Sequence, residues 1–156
     1  MFSSGAAGGK ENPGRLKERT MDIEAKNRFL KENAAERPPV AIGHIMMRVG
    51  DVAAATTFLE ALGLRWIHQG DDFAVLELRG GTHVIASRAD GPAAPGTPAP
   101  FDLMVDDVEA MRADYAGKGM KVSEITSGSI HSTFEVSGPE GYAIRITSPH
   151  TGTRVV

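Results

Sequence analysis

Polar, chemically active side chains stand at alternate positions of several short apolar segments. Side chains two apart in a strand point to the same face, so this alternation would place them together on one side of a sheet. Histidine exchanges a proton near neutral pH, and a guanidinium binds a carboxylate or phosphate through two parallel hydrogen bonds. The pattern therefore predicts a polar sheet face able to bind a ligand or transfer a proton. Its ionisable members are His44, Arg48, His83, Asp102, His131, Glu135 and Arg145.

Three apolar side chains share the parity of these groups and would form an adaptable wall beside them: Met46, Ile85 and Met104. One hypothesis is a pocket that binds a small anionic or polar organic molecule, with the two arginines as clamps. Another is an enzyme in which His44 or His131 is a general base next to a carbonyl group. A third hypothesis is a purely structural role. The histidines would then be hydrogen-bonded within the fold, and the arginines would pair with Asp102 or Glu135.

The segment that carries the first of these residues recurs later in the chain. Shifting the sequence by 56 positions places MRVGDVAAATTFLEALGLRW (47–66) on LMVDDVEAMRADYAGKGMKV (103–122). In both copies an aspartate that can cap the start of a helix is followed by a glycine that can end it. The repeat therefore predicts helices near 52–62 and 108–117. The matched pairs are Asp51 with Asp107 and Gly63 with Gly119.

Each copy has the pattern of a strand, a helix and three further strands. The copies span 41–88 and 98–150, and the proline-rich segment RADGPAAPGTPAP joins them. Because each unit has one helix, its apolar sheet face should pack beneath that helix, and its polar face should turn towards a cavity shared by both units. The predicted fold class is α+β, with two βαβββ repeats forming an open concave mixed sheet and the helices on the outer face.

Residues 1–40 differ in composition from the rest of the chain. They are rich in glycine, serine and charged residues, and they end at a proline pair before Val40. A seven-residue spacing of aliphatic side chains favours a helix over about 15–34. Its members are Leu16, Ile23 and Leu30. We expect an N-terminal arm that is partly helical or disordered, followed by a single domain over 41–150.

The composition excludes several classes of protein. Of 156 residues, 41% are hydrophobic and 24% are charged, which is typical of a globular domain. The net charge of −3 provides no cationic field for nucleic acid, and no segment is apolar enough to span a membrane. The lack of cysteine rules out disulfides and thiolate metal sites. The first residues lack the apolar stretch of a secretory signal, so the expected location is the cytoplasm.

With its two βαβββ copies, the chain resembles the vicinal oxygen chelate superfamily, which includes glyoxalase I, extradiol dioxygenases and bleomycin-resistance proteins. The resemblance covers about residues 41–148 and rests on GHIMMRVGDVAAATTFLEALGLRW, LELRGGTHVIAS, PFDLMVDDVEAM and FEVSGPEGYAIRI. It implies a glyoxalase-like domain that binds a small organic molecule, and it implies a homodimer. The superfamily hosts lyases, isomerases, dioxygenases and non-catalytic binders on one scaffold, so the activity stays open.

Metal-dependent members of the superfamily place one ligand on each of four strands. His44 matches the first of these positions. The other three positions fall on Ile85, Pro100 and Arg145. A guanidinium repels a divalent cation and cannot deprotonate. The resemblance therefore implies a degenerate metal site and no metal cofactor. A rearranged zinc, iron or manganese site, built from the three histidines with Asp102 or Glu135, is the alternative.

Overall fold

The computed structural model describes residues 40–149, in which two helices alternate with strands. The helices are α1 (Val52–Ala61) and α2 (Val108–Gly117). The strands of the first repeat are β1 (His44–Val49), β2 (Arg65–Gln69), β3 (Phe73–Glu77) and β4 (His83–Arg88). Those of the second are β5 (Thr97–Met104), β6 (Lys121–Val122), β7 (Thr126–Ser127), β8 (Ser132–Ser137) and β9 (Tyr142–Thr147). The predicted arm before Val40, with its helix over 15–34, lies outside the described residues.

Both helices begin and end where the repeat predicts. The carboxylate of Asp51 accepts a hydrogen bond from the backbone N–H three residues on at 3.0 Å, and that of Asp107 does the same at 2.8 Å. Gly63 and Gly119 follow the helix ends with φ values of 106° and 79°, where a residue with a Cβ would be strained. The two predicted helices are confirmed. Neither of them has the length and apolar character needed to span a bilayer.

The strands form two hydrogen-bonded sheets, one for each repeat, in place of one continuous sheet. The first has the order β1-β4-β3-β2, and the second has the order β5-β9-β8-β6, with β7 also paired to β8. In each repeat the first strand runs parallel to the last, and the other pairs are antiparallel. β1 and β5 lie side by side where the repeats meet. These open mixed sheets with their helices confirm the predicted α+β class.

The second sheet departs from the first at both of its edges. Its outer strand is split into β6 and β7, because the Ser123 hydroxyl accepts the Glu135 N–H at 2.9 Å, where a strand carbonyl would otherwise accept it. In β5 the register with β9 shifts between Pro98 and Asp102. Proline has no N–H to donate to a regular β-ladder, so the regular pairing of β5 with β9 is interrupted in this stretch.

One hydrophobic core joins both repeats beneath the two helices. Tyr115 of α2 lies within it, 1% exposed, and its hydroxyl donates to the Leu62 carbonyl at the end of α1 at 2.6 Å. Burial, and then the charge of Asp114, raise the pKa of Tyr115 to about 12. Since the apolar faces of both sheets contribute to this core, their opposite faces are open. The sheet residues in the core are Met47, Val49, Ala74, Leu76, Val84, Ala86, Leu103, Phe134, Val136, Ile144 and Ile146.

A hairpin from each repeat contacts the start of the helix in the other repeat. The β8–β9 hairpin carries Glu140, a buried carboxylate that accepts from the backbone N–H groups of Gly50 at 2.5 Å and Asp51 at 3.3 Å. The β3–β4 hairpin carries Arg79, which donates two hydrogen bonds to Asp106 at 3.0 and 3.1 Å. Those bonds, and then the charge of Arg79, lower the pKa of Asp106. Gly50 and Asp106 are equivalent under the shift of 56, so the hairpins are anchored at matched places.

Candidate functional site

The first open face is the side of the sheet β1-β4-β3-β2 that points away from the core. The register of β1, β4 and β3 aligns its side chains in three rows that cross the strands. The rows are His44, His83 and Glu77, then Met46, Ile85 and Val75, then Arg48, Ser87 and Phe73. Five residues predicted from the sequence are therefore brought together on this face: His44, Met46, Arg48, His83 and Ile85.

The histidine row combines two imidazoles with a carboxylate. The rings of His44 and His83 are stacked, with their centroids 5.8 Å apart and their planes 22° apart. A Glu77 carboxylate oxygen lies 4.0 Å from His83 Nε2, and the same side chain forms an ion pair with Arg65 of β2. Glu77 therefore lies between His83 and Arg65 at the end of this row.

Sequence reasoning missed Glu77 and Arg65. For Glu77 the sequence did contain a signal. In FAVLE (73–77), alternation places its side chain on the same face as those of Phe73 and Val75. Only the alignment of β3 with β4 places that carboxylate opposite His83.

The middle row is apolar and partly open to solvent. Met46 is 54% exposed although it lies in the interior of a strand, and Ile85 and Val75 continue the apolar surface across the sheet. Phe73 extends it, with its ring centroid 5.2 Å from that of His68. A flat apolar strip beside hydrogen-bonding groups suits an aromatic or other planar molecule.

The third row supplies a cation. The Arg48 guanidinium lies 3.4 Å from the Ser87 hydroxyl, and within residues 40–149 it forms no ion pair with a carboxylate. Its backbone carbonyl accepts a hydrogen bond from the Tyr142 hydroxyl at 2.9 Å, which ties β1 to the second repeat. The charge of Arg48 is therefore available to an anionic group that approaches this face.

The second open face is the corresponding side of the sheet β5-β9-β8-β6, and its centre is charged. Asp102, Arg145 and Glu135 lie in one row across three strands, and Arg145 Nη2 is 3.8 Å from a Glu135 carboxylate oxygen. Met104 lies in the next row, opposite Thr147 of β9. Two carboxylates thus flank one guanidinium here.

A cavity of about 290 Å³ lies on the second open face, beside Pro100, Asp102, Glu135 and Arg145. All of its lining residues come from the second repeat. It is therefore not the cavity shared by both repeats that the sequence predicts, and that cavity stays a prediction.

His131 lies immediately before β8, and its Nδ1 is 2.9 Å from the Ser148 carbonyl. A carbonyl only accepts, so this geometry places a proton on Nδ1. His131 belongs to the second repeat, whereas His44 and His83 lie on the first open face. The structure does not test the predicted role of any of these residues, and each stays a prediction.

The residues at the four superfamily metal positions do not fit a divalent ion. His44 is the only one of the four with a donor atom, since the others are isoleucine, arginine and a proline within the shifted stretch of β5. In the part of the chain that the structure describes, no three His, Asp or Glu side chains are close enough to hold a metal ion.

A family model and solved structures match the chain. Residues 41–154 match the model of the Glyoxalase/Bleomycin resistance protein/Dioxygenase superfamily. Lactoylglutathione lyase from Agrobacterium tumefaciens superimposes with a TM-score of 0.59 at 17% identity, covering 72% of this chain and 96% of that one. No curated protein matches the sequence.

Two similar structures are binding proteins. The bleomycin-binding protein of Streptomyces verticillus, complexed with copper(II)-bleomycin, has a TM-score of 0.58 at 18% identity and covers 73% of this chain and 100% of its own. An antibiotic-binding protein from a Streptomyces species has a TM-score of 0.58 at 18% identity, covering 72% and 99%. At these identities the likeness shows the fold alone.

Proposed function

The chain belongs to the Glyoxalase/Bleomycin resistance protein/Dioxygenase superfamily, and we propose that it binds a small planar organic acid or carbonyl compound on the first open face, without a metal. The observation that carries this proposal is the alignment of three unlike rows across three strands. An apolar strip lies between a histidine row and a cation, so a ring, a carbonyl and a carboxylate could be bound at once.

Arg48 is the principal anion contact in this proposal. The sequence suggested that Arg48 and Arg145 act together, but Arg145 is flanked by Asp102 and Glu135. An added carboxylate there would meet two negative charges and one positive charge. Arg48 meets no such competition among the described residues, so it should contribute more to affinity.

Phenylpyruvate is a suitable probe, because it combines an aromatic ring, a ketone and a carboxylate. We expect saturable binding to the full chain by calorimetry, and Arg48→Ala should weaken it about thirty-fold or more. Arg112→Ala is the matched control, since Arg112 of α2 is on the helix side and pairs with Glu124 at 2.8 Å. No saturable binding, or an equal loss in both variants, would contradict the proposal.

Metal independence is tested on the same protein. Treatment with a chelator should leave phenylpyruvate affinity unchanged, and elemental analysis should find far less than one metal ion per chain. A stoichiometric metal that His44→Ala removes would favour the rearranged metal site instead.

A second candidate is an enzyme in which a histidine is the general base for enolisation next to a carbonyl. The stacking of His44 on His83, with Glu77 beside the latter, favours it, because it brings two imidazoles and a carboxylate together on one face. The test is phenylpyruvate tautomerisation, in which the base removes a proton from the carbon next to the ketone. His44→Gln should abolish the rate while leaving affinity nearly intact. A pure binding protein would show no rate above that of buffer.

We also propose that the protein is a homodimer. Trp66 is 50% exposed and Ile67 is 45% exposed on β2, the edge strand of the first sheet, which leaves apolar surface beside the first open face for a second copy to cover. Light scattering should then give twice the chain mass of 16.6 kDa. A monomer at micromolar concentration would contradict this part of the proposal. The cytoplasmic location expected from the sequence stays a prediction.

A further inference from the structure

We propose a second ligand site on the helix side of the domain, in a cavity of about 510 Å³ between α2 and the β3–β4 hairpin. Its ligand is a neutral, largely apolar organic molecule. The apolar part of its lining includes Leu62, Leu64, Leu78, Leu103, Met111 and Tyr115. Met104 of the second open face also lines this cavity, but no residue of the first open face does, so the site is independent of the proposed function.

The equivalent junction in the other half of the domain can be compared with this cavity. That junction is closed. Between α1 and the β8–β9 hairpin only about 10 Å³ is left. The Phe58 ring closes this junction by packing on Gly138, where an added Cβ would lie 2.9 Å from the ring atom Cε1. A ring on the helix and a glycine in the hairpin therefore fill the space.

Asp114 is the residue of α2 equivalent to Phe58 under the shift of 56. Its side chain is half exposed and pairs with Lys118, one helical turn on, at 2.7 Å. No ring therefore enters the space under the β3–β4 hairpin from this position. The two junctions therefore differ in side-chain size and polarity at this matched position.

The open space does not arise from a displaced hairpin. Arg79 holds the β3–β4 hairpin to Asp106 by two hydrogen bonds, as Glu140 holds the other hairpin at the equivalent place. Tyr115 fixes the floor through its bond to the Leu62 carbonyl. The walls are thus held in place before a ligand arrives, which lowers the entropy cost of binding.

The chemistry of the lining selects a neutral molecule. Asp106 is paired with Arg79, Asp114 with Lys118, and the Asp107 carboxylate caps α2. A charged ligand would have to break one of these pairs or leave its own charge unpartnered. The remaining surface is aliphatic, methionine and aromatic, and the volume falls within the roughly 300–1,000 Å³ of ordinary small-molecule sites.

N-phenyl-1-naphthylamine, a neutral dye that fluoresces in apolar surroundings, is the probe. The full chain should bind it saturably, and Asp114→Phe, which restores the ring of the other junction, should weaken binding about tenfold or more. Ala113→Phe is the matched control, because it adds the same ring at an exposed neighbouring position that does not line the cavity. Asp114→Ala removes the charge without filling the space and should retain binding.

A second filling variant keeps the test decisive if Asp114→Phe does not fold. Leu78→Trp fills the cavity from the hairpin and should also lower dye affinity. The inference is overturned if both filling variants bind the dye like the wild type. Loss of binding in Met46→Asp would overturn it too, since the dye would then occupy the first open face. A dimer that Asp114→Phe dissociates would overturn it as well, since a second copy would then cover the cavity.

Discussion

The two repeats share one chain path and differ in the surfaces that they present. The first has an apolar open face lined by histidines, and its helix packs tightly against the β8–β9 hairpin. The second has a charged open face, a split outer strand, a shifted register in β5 and a large cavity beside its helix. Each difference lies at a place that has an equivalent in the other repeat.

This comparison shows which positions the scaffold needs and which are free to diverge. Both repeats keep the capping aspartate and the glycine after the helix, because the chain path requires them. Ile85 and Arg145, which occupy equivalent open-face positions, contribute nothing to the core. One scaffold can therefore support an apolar binding face in one half and a charged face in the other.

Phe58→Asp should have the largest effect, since it gives the closed junction the residue of the open one. We expect it to lower the free energy of unfolding by about 3 kcal/mol, because a packed aromatic ring is lost. Urea denaturation measures the change. Thr57→Asp, at an exposed position of the same helix, should change it by less than about 0.5 kcal/mol. Equal losses would mean that the ring does not close this junction.

The burial of the Tyr115 hydroxyl should make the stability of the domain depend on pH. Its folded-state pKa of about 12 lies above the ordinary value of 10.0, so the hydroxyl favours the folded state while it is protonated. This contribution is complete below pH 10 and is lost as the pH rises towards 12, by about 2 kcal/mol. Tyr115→Phe should remove that part of the alkaline loss. Parallel pH profiles for the two proteins would contradict this assignment.

Glu140 and Arg79, which hold the two hairpins at matched places, should contribute differently to the stability of the domain. Glu140→Ala leaves two partly buried backbone N–H groups at the start of α1 without their acceptor and should cost about 1–3 kcal/mol. Arg79→Ala removes an exposed pair and should leave the unfolding midpoint close to that of the wild type. Thermal unfolding of both variants measures the difference, and a larger loss for Arg79→Ala would reverse the comparison.

Arg145→Ala should have the smallest effect. Its side chain is 61% exposed and its partner Glu135 is 53% exposed, so the pair should contribute less than about 0.5 kcal/mol to stability. Phenylpyruvate affinity should fall far less than it does in Arg48→Ala. A thirty-fold loss in Arg145→Ala would show that the second open face is the main site for the anion.

The sequence alone determined the helices, their caps, the repeat and the face to which each strand residue belongs. Asp51, Asp107 and the glycines after the helices act on backbone only a few residues away, and strand parity depends on neighbouring positions. The position of Met46 on an open face, opposite the buried Met47 and Val49, follows from that parity. Local rules of this kind do not depend on how distant segments meet.

Tertiary structure alone decided which of these residues share a surface. Glu77 meets His83 only because β3 aligns with β4 in one register, and Arg48 and Arg145 lie on different sheets because the ladders of the two repeats do not join. The cavity beside Asp114 needs a hairpin that comes from the other repeat. Strand register and the packing of one repeat on the other join residues far apart in the chain, so a pattern read along the sequence cannot place them together.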